Sequence, residues 1–156
     1  MSANVPGYDH TTPLAEAARA GHLEMVKWLM SDSRINESLE EKVLSPLSAA
    51  VSYNRLEVVR LSLKAVQWLI NYGDYNDNTA LHISALVTRP TPRADSVEIL
   101  RLLLMHGADP ELKKKNQQGA SALGFVEMMW RTTSWVELLD LDGTAGNGWR
   151  AYLGWL

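Results

Sequence analysis

No cysteine occurs among the 156 residues. That excludes a disulfide scaffold, a thiolate nucleophile and any Cys-ligated zinc or iron–sulfur site. No apolar run approaches the ~18 residues of a membrane-spanning helix, and Arg101 interrupts the longest candidate. An excess of one charge is missing too: the formal net charge is -3, which offers no electrostatic case for nucleic acid or an anionic membrane. The four histidines include no H-x-x-x-H pair, so no metal site is read and no cofactor is implied. The glycine-rich "GTAGNG" (143–148) follows no strand and lacks the Lys-Ser/Thr of a phosphate loop, and no G-x-S-x-G elbow exists. The opening "MSANVPGYDH" has neither a basic region nor an apolar run and does not read as a secretory signal. A soluble, cytoplasmic protein is the expectation. Phenylalanine is also scarce: one residue stands against six tryptophans, at 28, 68, 130, 135, 149 and 155. The indoles either fill the core, the favoured reading, or form an aromatic surface for a ligand or partner.

What is present is a repeat. Thr12-Pro13-Leu14, Ser45-Pro46-Leu47, Thr79-Ala80-Leu81 and Ser121-Ala122-Leu123 form one series. Pro13 and Pro46 lie 33 residues apart, and Pro46 and Ala80 lie 34 apart. A hydroxyl before proline starts a helix, because the side chain caps and proline takes the first helical position. Small residues follow each triplet and let that helix lie close to its neighbour. A second helix comes next, with Leu23, Val26, Leu29 and Met30 on one face of the first unit and Val97, Leu100, Leu103 and Leu104 in the third. Gly73 and Gly107 are expected to end their helices. The product is helix–turn–helix, four times over.

"TPLAEAARAGHLEMVKWLM" (12–30), "NTALHISAL" (78–86) and "VEILRLLLMHGADPELKKKNQQGASAL" (97–123) resemble the ankyrin repeat. The resemblance spans roughly 11–140 and is tighter in units one and three. It implies an all-α fold, a solenoid of stacked helix–turn–helix units with short or deleted β-turn fingers. Expected boundaries are an extension over 1–10, repeats at about 11–43, 44–77, 78–119 and 120–142, and a Gly-rich turn and apolar capping tail over 143–156, all in one domain. The resemblance also implies a concave face of fingers and first helices that binds another protein.

Three departures stand out. "LEVVRLSLKAVQWLINYGDYN" (56–76) reads as a second helix lengthened by a heptad, with Leu56, Val59, Leu63, Val66 and Ile70 keeping one apolar seam. Only "DYNDN" then precedes Thr79, so the finger there is expected to be nearly deleted. "TRPTPRAD" (88–95) reads as an inserted Pro loop, with Asp95 or Ser96 capping the helix after it. In the tail "WRAYLGWL", Trp149, Tyr152, Leu153 and Leu156 fall on one helical face. This tail is read as folding over the end of the stack, with self-association into a homodimer as the alternative.

The leading functional expectation is a binding module for a protein partner. Its contact residues are Arg19, Ser52, Tyr53, Asp74, Tyr75, Leu86, Met128, Trp130 and Trp135, with Asn76 and Asp77 beside them. The alternative is a small cofactor-free enzyme, an acid–base isomerase or cyclase of a hydrophobic small molecule. Its acids and bases would be Glu16, His82, Asp74, Asp77 and Glu127. Each of these has a plain structural reading too, and for Glu127, which falls where the repeat wants a small residue, it is a fourth repeat that is simply rotated. Glu16 sits where a first repeat needs a polar outer face. The resemblance gives His82 a hydrogen bond to backbone between repeats, and His22 a turn-stabilising role. Asp74 to Asp77 suit a polar turn.

Overall fold

The computed structural model describes residues 11–32, 45–87, 94–109, 116–117 and 119–121. All regular structure among them is helical. Six α-helices follow in chain order: α1 Pro13–Ala20, α2 Leu23–Met30, α3 Pro46–Ser52, α4 Leu56–Ala65, α5 Ala80–Val87 and α6 Ala94–Met105. They pair as three helix–turn–helix units and stack in two layers. First helices α1, α3 and α5 pack in one row, and second helices α2, α4 and α6 in the other.

The hydroxyl–proline starts behave as their chemistry dictates. Thr12 Oγ1 accepts from the Ala15 backbone N–H at 3.1 Å, and Ser45 Oγ from the Ser48 N–H at 3.0 Å. Leu14, Leu47 and Leu81 close the three triplets and are 0, 0 and 2% exposed. Each contributes about 1.5–3 kcal/mol by burial. Ala15, Ala17, Ala18, Ala49 and Ala50 keep α1 and α3 close, while Val26, Leu29, Val59, Leu63, Leu100 and Leu103 fill the space beneath the second layer.

The turns between paired helices need left-handed backbone. Gly21 has φ 81° and donates to the Ala17 and Ala18 carbonyls. Asn54 takes the corresponding place in the second unit at φ 56°, a conformation asparagine tolerates better than most residues. Gly107, at φ 91°, closes α6 as expected.

The second unit corrects the sequence reading twice. Its second helix is not lengthened: α4 stops at Ala65, Val66 leaves helical geometry at φ -135° and ψ 49°, and a 3₁₀ turn follows over Gln67–Leu69. Val66, Leu69 and Ile70 are still buried, so the apolar seam reports burial and not a continuous helix. Gly73 therefore ends no helix. A Cβ there would lie 2.9 Å from Asp77 Cα, so its smallness serves a close backbone approach.

The finger before the third unit is short, but it is present. Asp74 N–H donates to the Asn78 carbonyl, Asp77 N–H to the Asp74 carbonyl, and Asn78 N–H to Asp74 Oδ1, each at 2.9 Å. The turn at Asn116 repeats these three bonds, using Ala120 and Gly119. Asp77 and Gly119 are both left-handed, at φ 59° and 77°. Asp74 follows Leu56 by 18 residues and Asn116 follows Val97 by 19. The units are nearly equal in length, so the apparent gain and loss are one misplacement of the helix end.

Other expectations shift slightly or fall elsewhere. The helix after the Pro loop starts at Ala94, so Asp95 and Ser96 lie inside it; Asp95 occupies the first turn, where the helix dipole favours a carboxylate. Trp28 and Trp68 are 66% and 54% exposed, against the core-filling reading. His10, the loop at 88–93, Met128, Glu127, Trp130, Trp135 and the tail lie outside the described residues. No helix among the described residues is long and apolar enough to cross a membrane.

Candidate functional site

The helix register places Arg19, Ser52 and Leu86 at one position, seventh in α1, α3 and α5. They form a row along the first layer. Arg19 is exposed, Leu86 is 42% exposed, and Ser52 is half-buried with its hydroxyl donating to the Ser48 carbonyl at 2.9 Å. Tyr53, the C-cap of α3, is 49% exposed. Arg19 spans the first two units: its guanidinium carbon lies 5.3 Å from the Tyr53 ring centroid, and Nη1 donates to the Tyr53 hydroxyl at 3.4 Å. Nη2 and Nε both donate to Glu16 Oε2, at 2.6 and 3.0 Å. The Tyr53 hydroxyl, then Glu16, hold the Arg19 guanidinium above its already high ordinary pKa. Sequence reasoning named Arg19 and Tyr53 separately; the structure brings them into contact.

The finger supplies a second group. Asp74 Oδ1 accepts from the backbone N–H groups of Asn76 and Asn78, at 2.8 and 2.9 Å, which is turn-building work. Tyr75 is 48% exposed. Its carbonyl accepts from Gln117 Nε2 at 2.6 Å, and the Asn76 carbonyl accepts from the Gln117 backbone N–H at 2.9 Å. Asn116 Nδ2 donates to Asn78 Oδ1 at 3.0 Å. Adjacent fingers are thus stitched together, and Tyr75 is presented from a fixed turn.

Among the described acid–base candidates, the side chains of Glu16, Asp74 and His82 make structural contacts. Glu16 is ion-paired with Arg19 in solvent. His82 is completely buried. Its Nδ1 accepts from the Thr79 backbone N–H at 3.2 Å, so Nε2 carries the proton and donates to the Ala120 carbonyl at 3.2 Å. Burial lowers its pKa from 6.5, more than the Ala120 bond and the Asp74 charge raise it. This is the backbone-tying role that the resemblance implies. Asp74 caps its own turn, and Asp77 sits at the left-handed position. His22 precedes α2 without a side-chain capping bond.

Several structural partners escaped the sequence reading. Arg55 Nε donates to the Arg19 carbonyl at 2.9 Å and its side chain packs over Gly21, joining units one and two. Asn71 Nδ2 donates to the Gly107 carbonyl at 3.3 Å, and Asn71 Oδ1 accepts from Asp109 N–H at 2.9 Å, joining units two and three. Gln67 Nε2 donates to the His106 carbonyl at 3.3 Å. Their signal is only the offset of one repeat along the chain, and long polar side chains at loop positions carry no further mark.

Comparison with known proteins agrees with this architecture. A family model described as ankyrin repeats (3 copies) matches residues 2–64, and the ankyrin repeat model matches residues 76–115. The chain is similar to ankyrin repeat and SOCS box protein 11 of Homo sapiens, 31% identical over 112 residues, covering 72% of this chain and 31% of that protein. The Mus musculus protein of the same name matches with the same identity and coverage. Glutaminase liver isoform, mitochondrial, of Mus musculus is 42% identical over 55 residues, covering 35% of this chain and 9% of that protein. The chain therefore spans about a third of the length of the first of these relatives. With the hydroxyl-started first helices, the two-layer stack and the bonded fingers, these matches show that the chain belongs to the ankyrin-repeat family.

Proposed function

We propose that the chain is a protein-binding module whose first-helix row and finger receive the partner, with Arg19, Ser52, Tyr53, Tyr75 and Leu86 making the contact. The observation that carries the reading is the repeated position itself. One helix site in three consecutive units carries Arg, Ser and Leu, exposed in the first and third and half-buried in the second, beside a tyrosine pinned by an arginine. Tyrosine and arginine are the residue types that concentrate binding energy at interfaces. Ankyrin-repeat stacks are commonly interaction modules, which supports the same reading at the level of family. The acid–base alternative has no comparable support, since each described candidate already serves a helix pair, a turn or an inter-repeat bond.

Photo-crosslinking tests it. A crosslinking residue at Ser52 or Leu86 is expected to capture one recurrent protein, and the same probe at Lys64 on the second layer to capture none. Tyr53→Ala is expected to reduce the yield at Ser52 by tenfold or more, the loss of about 1.4 kcal/mol. Capture from Lys64 and not from Ser52 would put the binding surface on the other layer.

A further inference from the structure

Two apolar surfaces at opposite ends of the sequence match one another. Met25 and Trp28 on α2 are 50% and 66% exposed. The patterns "LEMVKWL", "LEVVRLS" and "VEILRLL" align the second helices and make Val58 and Ile99 the counterparts of Met25. Both counterparts are 1% exposed. The counterparts of Trp28 are Leu61, which is half-buried, and Leu102, 8% exposed. In the later units the preceding second helix lies alongside: α2 packs against α4, and α4 against α6. On α2 the same positions carry bulkier side chains in water.

The first layer limits what can cover them. Glu16 stands where α3 and α5 have Ala49 and Ile83, buried at 0 and 7%, and it is paired with Arg19 in solvent. A further helix pair stacked on this end would bury that ion pair at a cost in desolvation. A single helix along α2 would cover Met25 and Trp28 and leave Glu16 and Arg19 wet.

The chain carries a segment of that description. Thirty-five residues follow Ser121, and the last eight read "WRAYLGWL". Trp149, Tyr152, Leu153 and Leu156 have the 3, 1, 3 spacing that would put them on one face of a helix. The segment has eight residues, as α2 does, and a helix of that length spans about 12 Å. Arg150 is the one charged side chain in the segment, and beside the patch Glu24, 83% exposed, is paired with Lys27 at 2.6 Å.

We propose that the outer face of α2, at Met25 and Trp28, binds residues 149–156 of a second copy of this chain. Patch and segment are different surfaces, so the association is head to tail and each copy keeps one of each for further growth.

Light scattering on the full chain tests this, with circular dichroism to verify that each variant is folded. The native chain is expected to gain mass as concentration rises. Trp28→Glu, at a solvent-exposed position, and deletion of 149–156 are each expected to stay monomeric alone. Mixed together, they retain one intact tail and one intact patch, and a species of two-chain mass is expected that grows no further. Met25→Lys serves as a second patch variant in the same mixture. A native chain that stays monomeric overturns the proposal, including the case where the tail folds onto its own α2. Undiminished association of Trp28→Glu and Met25→Lys overturns it as well, since the tail then docks elsewhere. A mixture that stays monomeric does the same.

Discussion

Single residues show where the stack carries local cost. Ser62 occupies the place that Leu29 and Leu103 hold in the neighbouring units. It is fully buried, and its hydroxyl has no hydrogen-bond partner among the described residues. A buried hydroxyl without a partner costs about 1–3 kcal/mol, so Ser62→Ala is expected to raise the thermal midpoint by a few degrees. Asn54 adds a left-handed backbone and an unpartnered buried carbonyl oxygen. Gly21 shows the residue that suits this turn, and Asn54→Gly is expected to be neutral to stabilising in the same scan. The reverse change, Gly21→Ala, meets both a φ of 81° and the Arg55 side chain at 3.0 Å. A loss of about 1–2 kcal/mol is expected in urea unfolding. His82 sets a pH dependence. Its folded pKa is lowered by burial, so the unfolded chain takes up the proton first as pH falls. This contribution to stability is complete above pH 6.5 and is lost as pH falls from there through the lowered folded value. Denaturant midpoints against pH are expected to fall less steeply below 6.5 in His82→Gln than in the native chain. Glycine and histidine were visible in the sequence. The unpartnered atoms were not, because satisfaction depends on neighbours from other units.

Secondary elements explain why one part of the pattern misled. A period of three and four apolar residues predicts a buried face, and Val66, Leu69 and Ile70 are indeed buried. It cannot say whether one helix or a helix plus a 3₁₀ turn delivers that face, since apolar residues three apart return to one side at either about 100° or about 120° per residue. The α4 end carries no glycine or proline to mark it; Val66 closes it with φ -135°. The finger is legible once its own copy at 116–120 is laid beside it: an Asx residue, two polar residues and a left-handed residue. Gly73 makes the finger testable as an element. A Cβ there would meet Asp77 backbone at 2.9 to 3.2 Å, and backbone cannot yield as a flexible side chain can. Gly73→Ala is expected to cost about 1–3 kcal/mol. Gly107→Ala, where nothing lies within 4 Å, measures left-handed strain alone.

Across the whole molecule each unit contacts its neighbours, so stability is a sum of unit and junction terms. The junction between units two and three is polar and specific. Asn71→Ala removes one bond to the Gly107 carbonyl and one from the Asp109 N–H. A loss of about 1–2 kcal/mol is expected, with amide exchange rising more in α5 and α6 than in α1 and α2. Arg60, half-exposed, reaches Glu98 across the second layer at 2.9 Å. Such a pair contributes ~0–1 kcal/mol, and Arg60→Ala is expected to shift the thermal midpoint little. By itself the sequence determined the repeat, its hydroxyl–proline starts, the apolar faces and the all-helical class, because capping and periodicity are local chemistry written within one unit. Only the tertiary structure decided where α4 ends, that the second finger persists, that Arg19 lies over Tyr53, and that Trp28 faces water. Each of those depends on what the adjacent unit places within a few ångströms, which no spacing along the chain encodes.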